Sequence, residues 1–343
     1  MNQKYKFIES WLFANKIKHS KDFKVSSKSW LKVGGVIKNF ITPVNIEDCV
    51  KVIKFFNSNN TRFYVLGNIS NIIVRDGEIF TPIINLHNLS SIEETKINYG
   101  LNLKVNAGTS MTKFSKLLTN KGITGSEGLV GIPGTVGGGI VMNAGSYGSC
   151  ISDYLISVEF LDEKGVLKSF KKKELNFSFR KSIFQNNNFL ILNANFFISK
   201  EKFIGNDNTL SKMHKIVSAR SNTQEKILPN LGSIFGTKNL YEALKNKNIF
   251  FYFMYYLYKT FSFLIYKFSN KNFFIYRKFI VKIYTKLLRL DTTKNFSLSE
   301  KTINCLVNNG STKADDAIKF IKIMKNQIGK CAKMENIILD DIE

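Results

Sequence analysis

"GIPGTVGGGIVMNAGSYG", residues 131–148, holds seven glycines in eighteen residues and no charged side chain, although the whole chain has only 22 glycines in 343 residues. Glycine costs conformational entropy on folding, so such a cluster needs a reason. One reason is steric. Without a Cβ the main chain presses against a ligand, and several N–H groups converge on one anion. A set of tight turns at sheet edges is the plain alternative. The usual phosphate motifs do not fit. No G-K-[ST] string follows a first glycine, and a G-x-G-x-x-G fingerprint begun at Gly137 would need glycine where the chain has Met142. A phosphate-bearing ligand here therefore implies some other fold.

A chain of 343 residues has room for two or three compact domains, and 44% apolar content argues against disorder. Cys49, Cys150, Cys305 and Cys331 form no CxxC pair. They read as thiols of a reducing compartment rather than a disulfide framework or zinc site. His19, His87 and His214 are scattered, so no metal centre is expected. The first twenty residues carry charge among their apolar positions, unlike a signal peptide, and the expected location is cytoplasmic. The net charge is +24, yet 44 of the 50 basic residues are lysine. Lysine without the arginine fork does not point to specific nucleic-acid recognition, although attraction to anionic partners in general remains.

Periodicity predicts an N-terminal helix over 1–20, an amphipathic helix over 46–60 and another over 111–122 closed by Gly122. Strands are expected at 62–67, 71–74, 81–86 and 101–108. A hairpin turns around Asp162–Gly165, and a further strand covers 189–199. Helices return at 208–224 and 313–330. The class is α+β without repeats. Residues 238–290 stand apart, with eleven Lys or Arg against the single acid Glu242 and aromatic rings throughout. The apolar run 249–258 is too short to span a bilayer. Two readings remain. One is a helical insertion packed on the domain. The other is an interfacial helix pair held to anionic membrane.

The glycine stretch and its neighbours carry a resemblance. "GLVGIPGTVGGGIVMNAGSYG" (128–148), "ISDYLISVEFLD" (151–162) and "LNFSFRKSIF" (175–184) resemble the UDP-N-acetylenolpyruvoylglucosamine reductase family, also called UDP-N-acetylmuramate dehydrogenases. "SWLKVGG" (29–35) and "VLGNISNIIVRDG" (65–77) precede them in family order, and "LGSIF" (231–235) and "SEKTINCLVNNGSTKADD" (299–316) follow. The resemblance covers about 25–237 and 296–330, and 238–290 has no aligned counterpart. It implies a VAO/PCMH-type FAD-binding domain in two α+β lobes, followed by a smaller α+β substrate-binding domain. The expected division is a helix at 1–24, the FAD domain at 25–200 and the C-terminal domain at 201–343. By resemblance, FAD contacts fall to Gly67, Asn68, Ser70, Asn71, Gly134, Thr135, Gly137, Gly138, Asn143, Ala144 and Gly145. Ile69 stands where the family usually has glycine.

The resemblance also implies the chemistry. NADPH passes hydride to FAD, which passes it to the enolpyruvyl ether of a UDP-sugar in peptidoglycan precursor synthesis. Charge builds beside the substrate carboxylate, so the site needs a cation and a proton donor. Arg180 matches the carboxylate-holding arginine and Ser233 the proton donor. Phe179 replaces the usual tyrosine, and Thr302 the usual histidine. The family's closing catalytic glutamate is the weakest match. In "KMENIILDDIE" (333–343) the simplest alignment gives Glu335 the first glutamate and Ile337 the catalytic one, and Glu335, Asp340 or Asp341 could substitute only in another register. Glu335 is the candidate taken. Two other readings stay open: a paralogue acting on another nucleotide sugar in surface-polysaccharide synthesis, and a flavin-binding homologue without turnover.

Overall fold

The computed structural model describes residues 2–185, 187–237, 239–268, 270–290 and 295–341, with side chains of 2, 206 and 263–273 excepted. The part of the aromatic, basic stretch that falls on 263–273 lies, for its side chains, outside the described residues.

Helix α1 (Asn2–Ala14) is shorter than periodicity predicts. The chain turns at Lys16, in the left-handed region, and enters β1 (His19–Lys24). "HSKDFK" is a mostly exposed strand paired only with β2 (Val36–Ile41), so it lacks the apolar alternation that reveals strands. Helix α2 (Ile46–Ser58) starts where the Asn45 side chain accepts the Asp48 N–H, and it buries Val52, Ile53 and Phe56. Strands β3 (Tyr64–Leu66), β4 (Ile72–Val74), β5 (Glu78–Ile79) and β6 (Ile83–Asn85) follow. The first sheet runs β1-β2-β6-β3, with β5 beside β2, and β6 is parallel to both β2 and β3.

The second sheet is antiparallel, in the order β12-β11-β13-β8-β7. Its first members are β7 (Ile92–Ile97) and β8 (Gly100–Asn106), which lead into helix α3 (Met111–Asn120). The glycine stretch folds as helix α4 (Val136–Val141) and a small hairpin, β9 (Gly145–Ser146) and β10 (Ser149–Cys150). Strands β11 (Leu155–Leu161), β12 (Leu167–Lys171) and β13 (Leu190–Ser199) complete the sheet. One core is shared by α1, α2, α3 and the inner side of this sheet, with Phe56, Phe114, Phe160 and Phe196 almost fully buried.

Helix α5 (Asn206–Thr223) packs on α3 and the turn at 127–129, where Arg220 Nη2 donates to Gly128 O at 2.7 Å. It thus sits on the glycine-rich lobe, although the sequence places it in the C-terminal range. That C-terminal part holds β14 (Asn230–Ser233), α6 (Leu240–Leu244), α7 (Ile249–Phe268), α8 (Asn270–Leu287), β15 (Phe296–Leu298), β16 (Cys305–Asn308) and α9 (Ala314–Ile328). The three strands form one antiparallel sheet, β14-β16-β15. Phe251, Met254, Tyr255, Ile280, Val281 and Tyr284 of the α7–α8 hairpin join its core. The hairpin is therefore packed on the domain through its inner face.

Two long-range ties bind this part to the first lobe. Strand β17 (Ile337–Leu339) returns to lie parallel to β4. The Asp76 carboxylate accepts from the N–H groups of Ala314 and Asp315, both at 2.9 Å, and so caps α9 from 238 residues upstream.

Candidate active site

A cleft of about 1210 Å³ runs between the two lobes and the C-terminal part. One wall is the loop 67–71. A Cβ on Gly67 would lie 2.7 Å from Thr135 Oγ1, so only glycine lets this loop meet the 131–148 stretch. Asn85 Nδ2 holds the loop by donating to the Leu66 and Gly67 carbonyls, and Asn68 Nδ2 reaches Gly134 O at 3.3 Å. Ile69 keeps the left-handed φ of 49° that the family's glycine would adopt freely. Its side chain is buried with Leu66, Val74 and Leu339. The branched residue therefore strains the backbone, and it lines the cleft while packing into this apolar cluster.

The other wall is the glycine stretch. Gly134 has a φ of 117°, and Thr135 caps α4 by accepting the Gly138 N–H. The expected convergence of N–H groups is corrected at this turn. The N–H groups of Val136 and Gly137 go to Thr109 O and Ala107 O, and that of Gly138 to Thr135 Oγ1. The opening turn of α4 thus satisfies its donors internally. What the glycines supply is close approach. A Cβ on Gly137 would be 3.0 Å from Ala107 Cβ, and one on Gly145 would be 2.5 Å from Ser149 O.

Of the residues expected at the cofactor, Gly67, Asn68, Ser70, Asn71, Gly134, Thr135, Gly138, Ala144 and Gly145 line the cleft, whereas Gly137 and Asn143 do not. Gly137 serves the packing of α4 on β8. Asn143 donates through Nδ2 to Ser178 O at 3.0 Å, which fastens the turn bearing Arg180. These walls fit a flavin dinucleotide. They give a long, bare backbone surface with polar side chains at its rim, in a cleft large enough for ligand and substrate together.

Arg180 sits in a tight turn closed by reciprocal N–H···O bonds between Ser178 and Lys181, with a left-handed φ of 55°. Its guanidinium lies over the Phe179 ring at 5.4 Å. Its Nε is 3.0 Å from Glu335 Oε1, an ion pair whose N–H is not aligned into a hydrogen bond. Burial pushes the Glu335 carboxyl above the ordinary value of 4.5, and the Arg180 guanidinium opposes this without overcoming it. Glu335 is placed by its own backbone, for its N–H donates to Ile234 O and its carbonyl accepts from Asn71 Nδ2. Ser233, at the end of β14, lines the same cleft, and its carbonyl accepts from Asn336 Nδ2. Asn304 clamps Phe235, two residues beyond Ser233, accepting its N–H and donating to its carbonyl.

Arg180, Ser233 and Glu335 thus share one cleft with the loops at 67–71 and 131–148. The other two candidate acids lie elsewhere. Asp340 pairs with Arg75 at 2.6 Å, and Asp341 accepts from the Thr81 N–H at 2.7 Å. Ile337 pairs with Ile72 in β17 and reaches the cleft as an apolar side chain. The sequence reading passed over Arg220, Tyr258 and Arg277. All three line the cleft, the last two from the α7–α8 hairpin. Both arginines are over nine-tenths buried. A signal existed. The chain has six arginines, and three of them, Arg180, Arg220 and Arg277, face this cleft. No group of three or more His, Cys, Asp or Glu among the described residues is arranged to hold a metal ion.

Residues 37–171 match a family model described as an FAD binding domain. The chain is 35% identical to the UDP-N-acetylenolpyruvoylglucosamine reductase of Shouchella clausii, over 62% of its own length and 67% of that protein. It is 37% identical to the enzyme of that name from Orientia tsutsugamushi, over 66% and 73% respectively. The crystal structure of the UDP-N-acetylenolpyruvylglucosamine reductase of Thermus caldophilus superposes with a TM-score of 0.66 at 21% identity. It covers 94% of this chain and all of that one.

Proposed function

The chain belongs to the UDP-N-acetylenolpyruvoylglucosamine reductase family, and from that membership we propose that it reduces UDP-N-acetylglucosamine enolpyruvate to UDP-N-acetylmuramate for peptidoglycan synthesis. FAD, held by the loops at 67–71 and 131–148, would supply the hydride relay between NADPH and the substrate double bond. The FAD is held by 25–200 and the substrate gripped largely from 201–343. The reading rests on one convergence, the cleft that Arg180, Ser233 and Glu335 share with the two glycine-bearing loops.

Each residue has a role that its chemistry suits. The Arg180 guanidinium binds the substrate carboxylate and offsets the charge that builds beside it. The Ser233 hydroxyl gives its proton to the carbon next to the carboxylate, so that hydride and proton together saturate the double bond. Glu335, whose carboxyl burial pushes above its ordinary value, sits 3.0 Å from Arg180 and holds the guanidinium in place. Asn143 positions the Arg180 turn. A paralogous enzyme acting on another nucleotide sugar is the second reading, favoured by Tyr258 and Arg277, which enter the cleft from the inserted hairpin.

The enzyme works in the cytoplasm, where its UDP-sugar and NADPH are available. The test is direct. The purified protein should be yellow and release FAD on denaturation. Anaerobic NADPH should bleach it, and UDP-N-acetylglucosamine enolpyruvate should restore the colour. Restoration only by a different UDP-sugar establishes the paralogue, and a protein that takes up no FAD overturns both readings.

A further inference from the structure

The α7–α8 hairpin carries large apolar side chains on both of its faces. Its inner face is in the C-terminal core. On the opposite side of α7, Ile249, Phe250, Tyr252, Phe253 and Tyr256 are 44 to 82% exposed. Ile249, Tyr252, Phe253 and Tyr256 fall at i, i+3, i+4 and i+7, one continuous stripe. Helix α8 repeats the arrangement, with Ile275 and Phe279 each 59% exposed opposite the buried Ile280, Val281 and Tyr284. A contiguous exposed apolar patch of this kind marks an interaction surface.

Charge selects the occupant. The segment 238–290 carries eleven basic residues and one acid. Lys259, Lys282 and Lys286 are exposed on the hairpin, and Arg289 just past its end. A second copy docked on this face would set two such positive surfaces together, and like charges across an apolar contact oppose it. An anionic lipid surface satisfies both features. Phenyl and tyrosyl rings enter the headgroup boundary, while lysine stems lie along it with their ammonium groups at the phosphates. No helix among the described residues is long and apolar enough to cross a membrane, so the hairpin lies in the plane of the surface.

We propose that the outer face of α7–α8 docks the protein on anionic phospholipid bilayers. The inference is independent of the reductase chemistry, since the docking residues point away from the cleft. The test is sedimentation of the full-length, flavin-loaded protein with vesicles of phosphatidylcholine alone or with about 30% phosphatidylglycerol. Binding is expected on the anionic vesicles at low salt. It should fall at least tenfold at 0.5 M salt, because charge attraction is screened within about 10 Å already at 0.1 M. The double variant Phe253→Asp, Phe279→Asp should lose binding at least tenfold, with an unchanged flavin spectrum and unchanged NADPH oxidation. Three results would overturn the proposal. They are no sedimentation with anionic vesicles, equal sedimentation with neutral ones, and wild-type binding by the double variant. A dimer in solution that the same double variant dissociates would also overturn it, by giving the face to a second copy.

Discussion

Arg180→Met tests the charge logic of the site. Methionine keeps an unbranched chain of similar length and meets the same left-handed φ, so the turn is disturbed little beyond loss of the cation. Two consequences follow. The substrate carboxylate loses a charge-assisted hydrogen bond, worth about 1.5–3 kcal/mol. Flavin reoxidation by the enolpyruvyl sugar should therefore slow about 10- to 150-fold in kcat/KM, while flavin reduction by NADPH is nearly unchanged. Glu335 meanwhile loses its partner at 3.0 Å. Unit charges about 4 Å apart interact by about 4 kcal/mol at an effective dielectric of 20. The Arg180 side chain is 26% exposed, and water reduces this to about 1–3 kcal/mol. The sign follows from the direction of the Glu335 shift. Its folded-state pKa is raised above 4.5 by burial, so its contribution to stability is fully present below 4.5 and is lost as pH rises through the folded value. Removing Arg180 deepens that loss only where Glu335 is ionised. The melting temperatures of variant and wild type should coincide near pH 4 and separate by a few degrees at pH 9. In a Glu335→Gln background the pH-dependent part should vanish. A separation that is the same at both pH values would refute the coupling. Equal slowing of both flavin half-reactions would refute the placement of Arg180 on the substrate side.

Three further outcomes are expected. Ser233→Ala should leave flavin reduction by NADPH intact and slow reoxidation by about 10²–10⁴-fold, the usual worth of a general acid, as read by stopped-flow absorbance; equal slowing of both steps would make the serine structural. Arg277→Gln should weaken UDP binding about tenfold by calorimetry, the loss of one charge-assisted contact, with flavin content unchanged; unaltered UDP affinity would separate the hairpin from the nucleotide. Asp76→Ala removes the acceptor for the Ala314 and Asp315 N–H groups, costs about 1–2 kcal/mol, and should lower the melting temperature by a few degrees without loss of flavin.

Local pattern carries the middle of the chain well. Helices α2 and α3 and strands β8, β11 and β13 are each written in one contiguous segment whose period and stop signals suffice. It fails where partners are remote. Strand β1 is polar and lies outermost in its sheet, so nothing in "HSKDFK" announces it. The last eleven residues offer three candidate acids, and only long-range pairing separates them. The bridge between Phe235 and Met334 and the Glu335 N–H bond to Ile234 bring Glu335 into the cleft. The parallel pairing of β17 with β4 then carries Asp340 and Asp341 past it, to Arg75 and Thr81. Likewise, the bareness of 131–148 announces close backbone approach but not which donors remain available, because that depends on β8 and the Ala107–Thr109 carbonyls.

The three arginines of the cleft show a signal that the overall charge conceals. Forty-four lysines dominate the basic residues and are spread through the whole sequence, so net charge says little about any one place. An arginine differs in keeping its charge when buried and in offering a planar fork to a carboxylate or phosphate. Arg220 and Arg277 are 5% and 7% exposed, an environment in which a lysine would tend to lose its proton. Where lysine is the default cation, a buried position that holds arginine is one where lysine would not serve. That argument selects Arg277 from within a segment otherwise unmatched to the family. It makes the hairpin part of the cleft on its inner side, whatever surface its outer side meets.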